Sequence, residues 1–258
     1  MTTTPRSLEE AQALLQRQQQ EIDRLQAAHE SLMRAVAHDL RAPLRHVVSF
    51  APLLCESVEE LAAAAPQAVE ATEDAREFAG TMEQAARKMS LMLDGMAQVS
   101  RAARAPLNFA VVDWSVLVQQ VVAPWQAKHP QVQWQLPNLA APVMADSEWL
   151  RIAMQALVEN AVKFSVKQAA PVVQLQVQAL PAGWWQLSVQ DNGTGFDDSR
   201  AQSLGELFQR MHTEKAFEGV GCGLALVSTI AQRHGARWRI QAQPEQGCTV
   251  MLEWPGAA

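Results

Sequence analysis

A seven-residue repeat opens the chain. It runs through Leu8, Leu15, Ile22, His29 and Val36, with Ala11, Gln18, Leu25, Leu32 and Asp39 three residues behind. Seven of these ten positions are apolar, the spacing of an imperfect coiled-coil seam, and it predicts one long helix over residues 8 to about 60. Pro43 removes one backbone donor and is expected to kink that helix, since the apolar pattern resumes at Leu44, Val47 and Val48. A second helix is predicted from about Gln67 to Arg104. Met82, Ala85, Met89, Met92, Met96, Val99 and Ala103 hold 3-4 spacing on one face, which reads as packing. The Ala-rich stretch near residues 61–66 is expected to join the two. Two such helices cannot cover their apolar faces alone, so pairing with a second copy into a four-helix bundle is expected.

The pattern changes at Ala105-Pro106. Period-two runs follow at Val132–Leu136, Val172–Val177, Trp185–Val189, Trp238–Ile240 and Thr249–Leu252, each read as a strand. Between them lie helical stretches at Trp114–Gln126, Ser147–Phe164 and Gly223–His234, with Asp146 or Ser147 as the cap of the middle one. The fold class is therefore α+β. An N-terminal coiled coil (1–30) and a helical hairpin (31–105) precede an α/β domain (106–258).

Composition narrows the function classes. A net charge of −6 and a pI near 5.5 do not favour a nucleic-acid partner. No apolar run reaches the roughly 18 residues of a membrane span, and Met1–Arg6 is too polar for a secretory signal. Cys55, Cys222 and Cys248 give neither a disulfide framework nor a zinc spacing, which fits a reduced, cytoplasmic protein.

Four motifs carry candidate chemistry. Ala37-His38-Asp39-Leu40-Arg41-Ala42-Pro43-Leu44 sets a histidine beside a carboxylate on the first helix. His38 falls outside the seam positions Val36 and Asp39, so it can face solvent. Leu157-Val158-Glu159-Asn160-Ala161-Val162-Lys163-Phe164-Ser165 places Asn160 and Lys163 three apart on one helical face. An amide oxygen there can ligate Mg²⁺ and the ammonium can pair with phosphate, although a solvated polar face has the same look. Asp191-Asn192-Gly193-Thr194-Gly195 follows a strand. It is either an ordinary Asx-Gly turn or a carboxylate placed to accept from the adenine amine, with Gly193 and Gly195 admitting a flat ring. Gly219-Val220-Gly221-Cys222-Gly223 runs into a helix. It is either a flexible connector or a set of backbone N–H groups presented to an anion.

Each motif alone is weak; their order is not. From about Ser31 to Trp254 the chain resembles the transmitter core of bacterial sensor histidine kinases. Leu207-Phe208-Gln209-Arg210-Met211-His212-Thr213 with Glu218-Gly219-Val220-Gly221 resembles the lid of the phytochrome-like branch. The resemblance implies a dimerising phosphotransfer hairpin followed by a gyrase-type ATP-binding α/β sandwich. It implies that His38 attacks the γ-phosphate of ATP while Asp39 orients the imidazole and accepts its proton. Asn160 is expected to hold Mg²⁺, Lys163 the phosphates, and Asp191, Gly193 and Gly195 the adenine. Gly219, Gly221 and Gly223 are expected to close over the triphosphate, with Arg210 on its γ end. The expected partners are a second copy of the chain, a separate response regulator whose aspartate receives the phosphoryl group, and a separate sensor protein unless the chain is part of a longer kinase. Two departures stand out. Ala156 takes the place of an additional asparagine found in many relatives. Ala42 takes the place of the Thr or Asn of strong phosphatases, so little phosphatase activity is expected. The alternative is a dimeric adaptor or phosphorelay protein that does not use ATP; such a chain is expected to lose Asn160, Asp191 or the glycines, all of which are present.

Overall fold

The computed structural model describes residues 44–64, 69–197, 204–211, 217 and 219–257, with isolated positions at 12, 15, 16, 40 and 41. The isolated positions at 12, 15, 16, 40 and 41 are helical; the remainder of the N-terminal seam, with His38, Asp39, Ala42 and Pro43, lies outside the described residues. The chain divides into two compact units, Met1–Leu93 and Asp94–Ala258.

The first unit is helical. Helix α1 covers residues 44–64 and α2 covers Val69–Ala102. Residues 61–64 continue α1, so two thirds of the expected joining stretch is helix, as the high helix propensity of alanine favours. The buried positions are Leu44, Ala51 and Val58 on α1, and Ala79, Ala86 and Leu93 on α2. Both sets are spaced by seven, the seam spacing of paired helices. The expected methionine face is not the one buried here, for Met82 and Met89 are exposed.

The second unit is a two-layer sandwich. Its strands are β1 (Phe109–Asp113), β2 (Gln133–Gln135), β3 (Pro142–Asp146), β4 (Val172–Leu180), β5 (Trp184–Asp191), β6 (Arg237–Gln243) and β7 (Gly247–Pro255). Its helices are α3 (Trp114–Lys128), α4 (Ser147–Ser165) and α5 (Gly223–Arg233). Five strands form one sheet in the order β2-β4-β5-β7-β6, antiparallel except for the β2–β4 pair; β1 and β3 form a separate antiparallel pair. Strand alternation explains the layering. Val173, Leu175, Leu187, Val189 and Leu252 are buried, while Gln174, Gln176, Gln186 and Gln190 alternate with them on the polar face. The buried residues join Leu150, Met154, Leu157 and Val158 of α4 and Val227 and Ile230 of α5 in one core. The unit takes in the end of α2 ahead of Ala105-Pro106, because Ala102 is buried in that core and Val99 packs on it.

Helix α4 starts where the sequence indicates. Asp146 is its N-cap and accepts from the backbone N–H groups of Glu148 and Trp149, both at 3.1 Å. Its other oxygen accepts from Asn108 N–H at 2.9 Å. Burial pushes this carboxyl upward, but the three backbone donors outweigh that and its pKa is lowered.

Candidate nucleotide-binding site

One end of the sandwich gathers three of the four motifs. Helix α4 supplies Asn160 and Lys163. The Lys163 Nζ donates to Asn160 Oδ1 at 3.1 Å, so the two share a face as their spacing requires. Burial lowers the Lys163 pKa; nearby Glu159 opposes this and Arg210 adds to it. Next on α4, Phe164 lies under the Lys163 ammonium, 4.5 Å from ring centroid to nitrogen.

Strand β5 runs two residues past Val189 and delivers Asp191 at its end. The carboxylate is buried and accepts from Gly193 N–H at 2.8 Å and from the backbone N–H of Cys248. Burial dominates over those donors and raises its pKa to about 6. Asn192 fastens the same turn to the start of β4. Its Oδ1 accepts from Val172 N–H at 2.8 Å and its Nδ2 donates to Ala170 O at 2.8 Å. Gly193 lies against the carbonyl of Phe164, where a Cβ would collide with backbone. That contact ties the Asp191 turn to the end of α4.

The glycine run closes the third side. A Cβ on Gly219 would stand 3.4 Å from Lys163 Nζ, and one on Gly223 would stand 3.4 Å from Asn160 Nδ2. Gly221 has a positive φ of 76° and packs on the backbone of Phe208 and Gln209 and on the Arg210 side chain, and Phe208 N–H donates to Gly221 O at 3.0 Å. Helix α5 starts at Gly223, so its N-terminal amides follow directly on the run. Gly195 lies apart from these, at a positive φ of 54° against the β6–β7 turn at Gln243 and Gly247.

Arg210 donates to the carbonyl of Phe217 at 2.5 Å. Phe217 is buried, edge-on to Phe164 at 4.9 Å between centroids, with Lys167 Nζ 4.6 Å over its ring. This Phe164–Phe217 contact was missed from sequence; the only local signal was an aromatic directly after Lys163. His212, Thr213 and Glu218 lie outside the described residues, as do His38 and Asp39. Cys222 is buried and burial pushes its thiol pKa up, the character of an inert cysteine. Among the described residues, no group of three His, Cys, Asp or Glu side chains is placed to hold a metal. No described helix is long and apolar enough to cross a membrane.

The arrangement offers a buried carboxylate at a strand end, a helix-borne amide and ammonium, and a glycine run at a helix N-terminus. Comparison with known proteins fits it. Residues 145–258 match the family described as histidine kinase-, DNA gyrase B-, and HSP90-like ATPase. The chain is similar to cyanobacterial phytochrome A of Nostoc sp., 25% identical over 91% of this chain and 29% of that protein. It is also similar to the adaptive-response sensory kinase SasA of Synechococcus sp., 26% identical over 98% of this chain and 64% of that one. The chain thus spans less than two thirds of either relative. Among solved structures, full-length ShkA in complex with AMPPNP shares the fold at a TM-score of 0.60. It is 24% identical, with 88% of this chain and 46% of that one covered. Residues 145–258, which hold the α4, β5 and α5 motifs, match that ATPase domain, and similarity to sensor kinases extends along nearly the whole chain; together they support a sensor histidine kinase core.

Proposed function

We propose that the chain is an ATP-dependent protein-histidine kinase. In this reading it phosphorylates His38 and passes the phosphoryl group to an aspartate of a separate response regulator. The observation that carries the reading is the convergence of Asn160, Lys163, Asp191, Gly219 and Gly223 on one end of the sandwich. Asp191 accepts from the adenine amine, in a turn that Gly193 lets pack closely on the end of α4. Lys163 and the amides of the glycine run take the phosphates, with Arg210 at the γ end.

The residues present fit Mg²⁺ in a limited way. Asn160 Oδ1 is a hard oxygen donor on the phosphate side, where it accepts from a cation, Lys163. Mg²⁺ needs only one or two protein ligands when phosphates and waters complete its shell. When bound, the ion neutralises phosphate charge. The imidazole nitrogen of His38 forms the N–P bond as the bridging P–O bond to ADP breaks, and Asp39 takes the imidazole proton. Ala42 has no polar group to position a hydrolytic water, so the transferred phosphoryl group is removed slowly by this protein.

Incubation with γ-labelled ATP and Mg²⁺ tests the reading. Acid-labile, base-stable label should appear and be lost in His38→Gln and Asn160→Ala. Wild-type protein that binds ATP yet takes up no label would sink the kinase reading and favour the adaptor.

A further inference from the structure

Helix α2 contains two glycines, and only one is crowded. At Gly80 a Cβ would meet nothing within 4 Å. At Gly95 it would stand 2.5 Å from Cys222 Sγ and 2.8 Å from Cys222 Cβ, with Val220 at 4.0 Å. Real Cβ atoms do not approach that closely, so either Cys222 or the helix would have to move. Glycine is the poorest helix former after proline, so its use inside α2 needs a reason, and at Gly95 Cys222 supplies one. Cys222 lies between Gly221 and Gly223 and cannot move without them. The helix is anchored two turns further on. Arg233 Nη1 of α5 donates to the carbonyls of Ala102 and Ala105, at 3.0 and 2.7 Å, and Ala102 is buried in the core. Asp94 onward belongs to the same compact unit as the glycine run.

We infer that Gly95 is a positioning residue for the phosphate-binding run. Its missing side chain seats Cys222, and this sets where the amides of Gly221 and Gly223 face the nucleotide. The inference rests on the reading of that run as a phosphate cradle. It also gives Cys222 a role that is steric rather than redox. By linkage, whatever shifts α2 at Gly95 shifts phosphate affinity, and nucleotide in turn acts on α2.

The test uses the full chain and two ligands, ADP and adenosine, measured by displacement of a fluorescent adenine nucleotide. Adenosine reports the base pocket alone. Gly95→Ala should lower ADP affinity about tenfold, the scale of an overpacked contact, and leave adenosine within about twofold. Gly80→Ala should change neither. In the Gly95→Ala background, Cys222→Gly should return ADP affinity to that of the Cys222→Gly single variant. ADP binding unchanged in Gly95→Ala would overturn the inference alone. Parallel loss of both ligands without recovery in the double variant would overturn it too, since it marks a general packing defect. A wild-type chain that binds neither ligand would overturn the nucleotide reading and this inference with it.

Discussion

In the hairpin unit the buried seam is made largely of small side chains, Ala51, Ala79 and Ala86 among them. A second stripe on each helix stays open: Val47, Phe50, Leu54 and Leu61 on α1, and Phe78, Met82 and Met89 on α2. The sandwich unit is the reverse. Trp114 and Trp254 are fully buried and meet edge-to-face at 6.0 Å, and Leu150, Leu157, Leu187 and Ile230 surround a closed core. The difference is one of self-sufficiency. A sheet covered by three helices satisfies its own apolar area, whereas two helices with 3-4 and 7 spacing on two stripes need further helices. A second copy of the hairpin is the simplest supplier, and relatives of this family generally dimerise.

The largest effect should come from the closed core. Trp254→Ala removes a buried ring and the bond from its Nε1 to Met144 O at 3.0 Å. It should cost about 4 kcal/mol of unfolding free energy in chemical denaturation. The matching change in the hairpin, Phe50→Asp with Met89→Asp, should leave that transition in place and instead shift the protein from dimer to monomer in light scattering. If both variants lose the same unfolding transition, the two units are one cooperative body and the contrast fails.

The next effect lies at the site. Asp191 is raised to about 6 by burial, so its charge at pH 7 is held at a cost to folding. Its sign is that of a raised carboxyl: between its ordinary value and about 6 the folded state binds more protons, so stability falls as pH rises. Asp191→Asn removes that penalty. Its thermal midpoint at pH 7 should rise, by up to the equivalent of about 2–3 kcal/mol, while adenine-nucleotide affinity drops by about a hundredfold or more. A midpoint that falls, or affinity that persists, would remove Asp191 from the role proposed for it.

Local signals served the sandwich unevenly. Helix α4, its Asp146 cap, and strands β4, β5 and β7 were readable because alternation and capping are short-range. The pair β1–β3 was not. Phe109–Asp113 and Pro142–Asp146 do not alternate cleanly, and each strand is defined by its partner about 30 residues away. The site's motifs were visible as strings because glycines, Asn160, Lys163 and Asp191 announce their chemistry. What bound them together was not: the Gly193–Phe164 approach, the Phe164–Phe217 pair and the Gly95–Cys222 fit are all contacts across the fold. Two of the eight tryptophans find their reason in the Trp114–Trp254 core pair.

The smallest effect discriminates most finely, because two buried groups of the sandwich oppose each other with pH. His234 ends α5. Its Nε2 accepts from Asp146 N–H at 3.1 Å and its Nδ1 donates to Ile230 O at 2.7 Å, with Trp254 and Phe109 rings against it. A doubly protonated ring cannot accept, so the fold holds it neutral. Burial lowers its pKa; the Ile230 carbonyl and Asp146 oppose this, and Arg233 adds to it. For a depressed base, the unfolded chain takes the proton first as pH falls through about 6.5, so stability is lost on the acid side, by at most about 1.4 kcal/mol per pH unit. Asp191 acts in the opposite sense from about 6 downward. Between pH 6 and 5 the two groups therefore pull the wild-type midpoint in opposite directions. His234→Gln, which keeps an acceptor for Asp146 N–H, should tilt the wild-type curve toward a rise on the acid side, and Asp191→Asn should tilt it toward a fall. Parallel curves for all three proteins would show that neither buried group governs the acid side, and the self-sufficiency of the sandwich would then have to be argued from its apolar core alone.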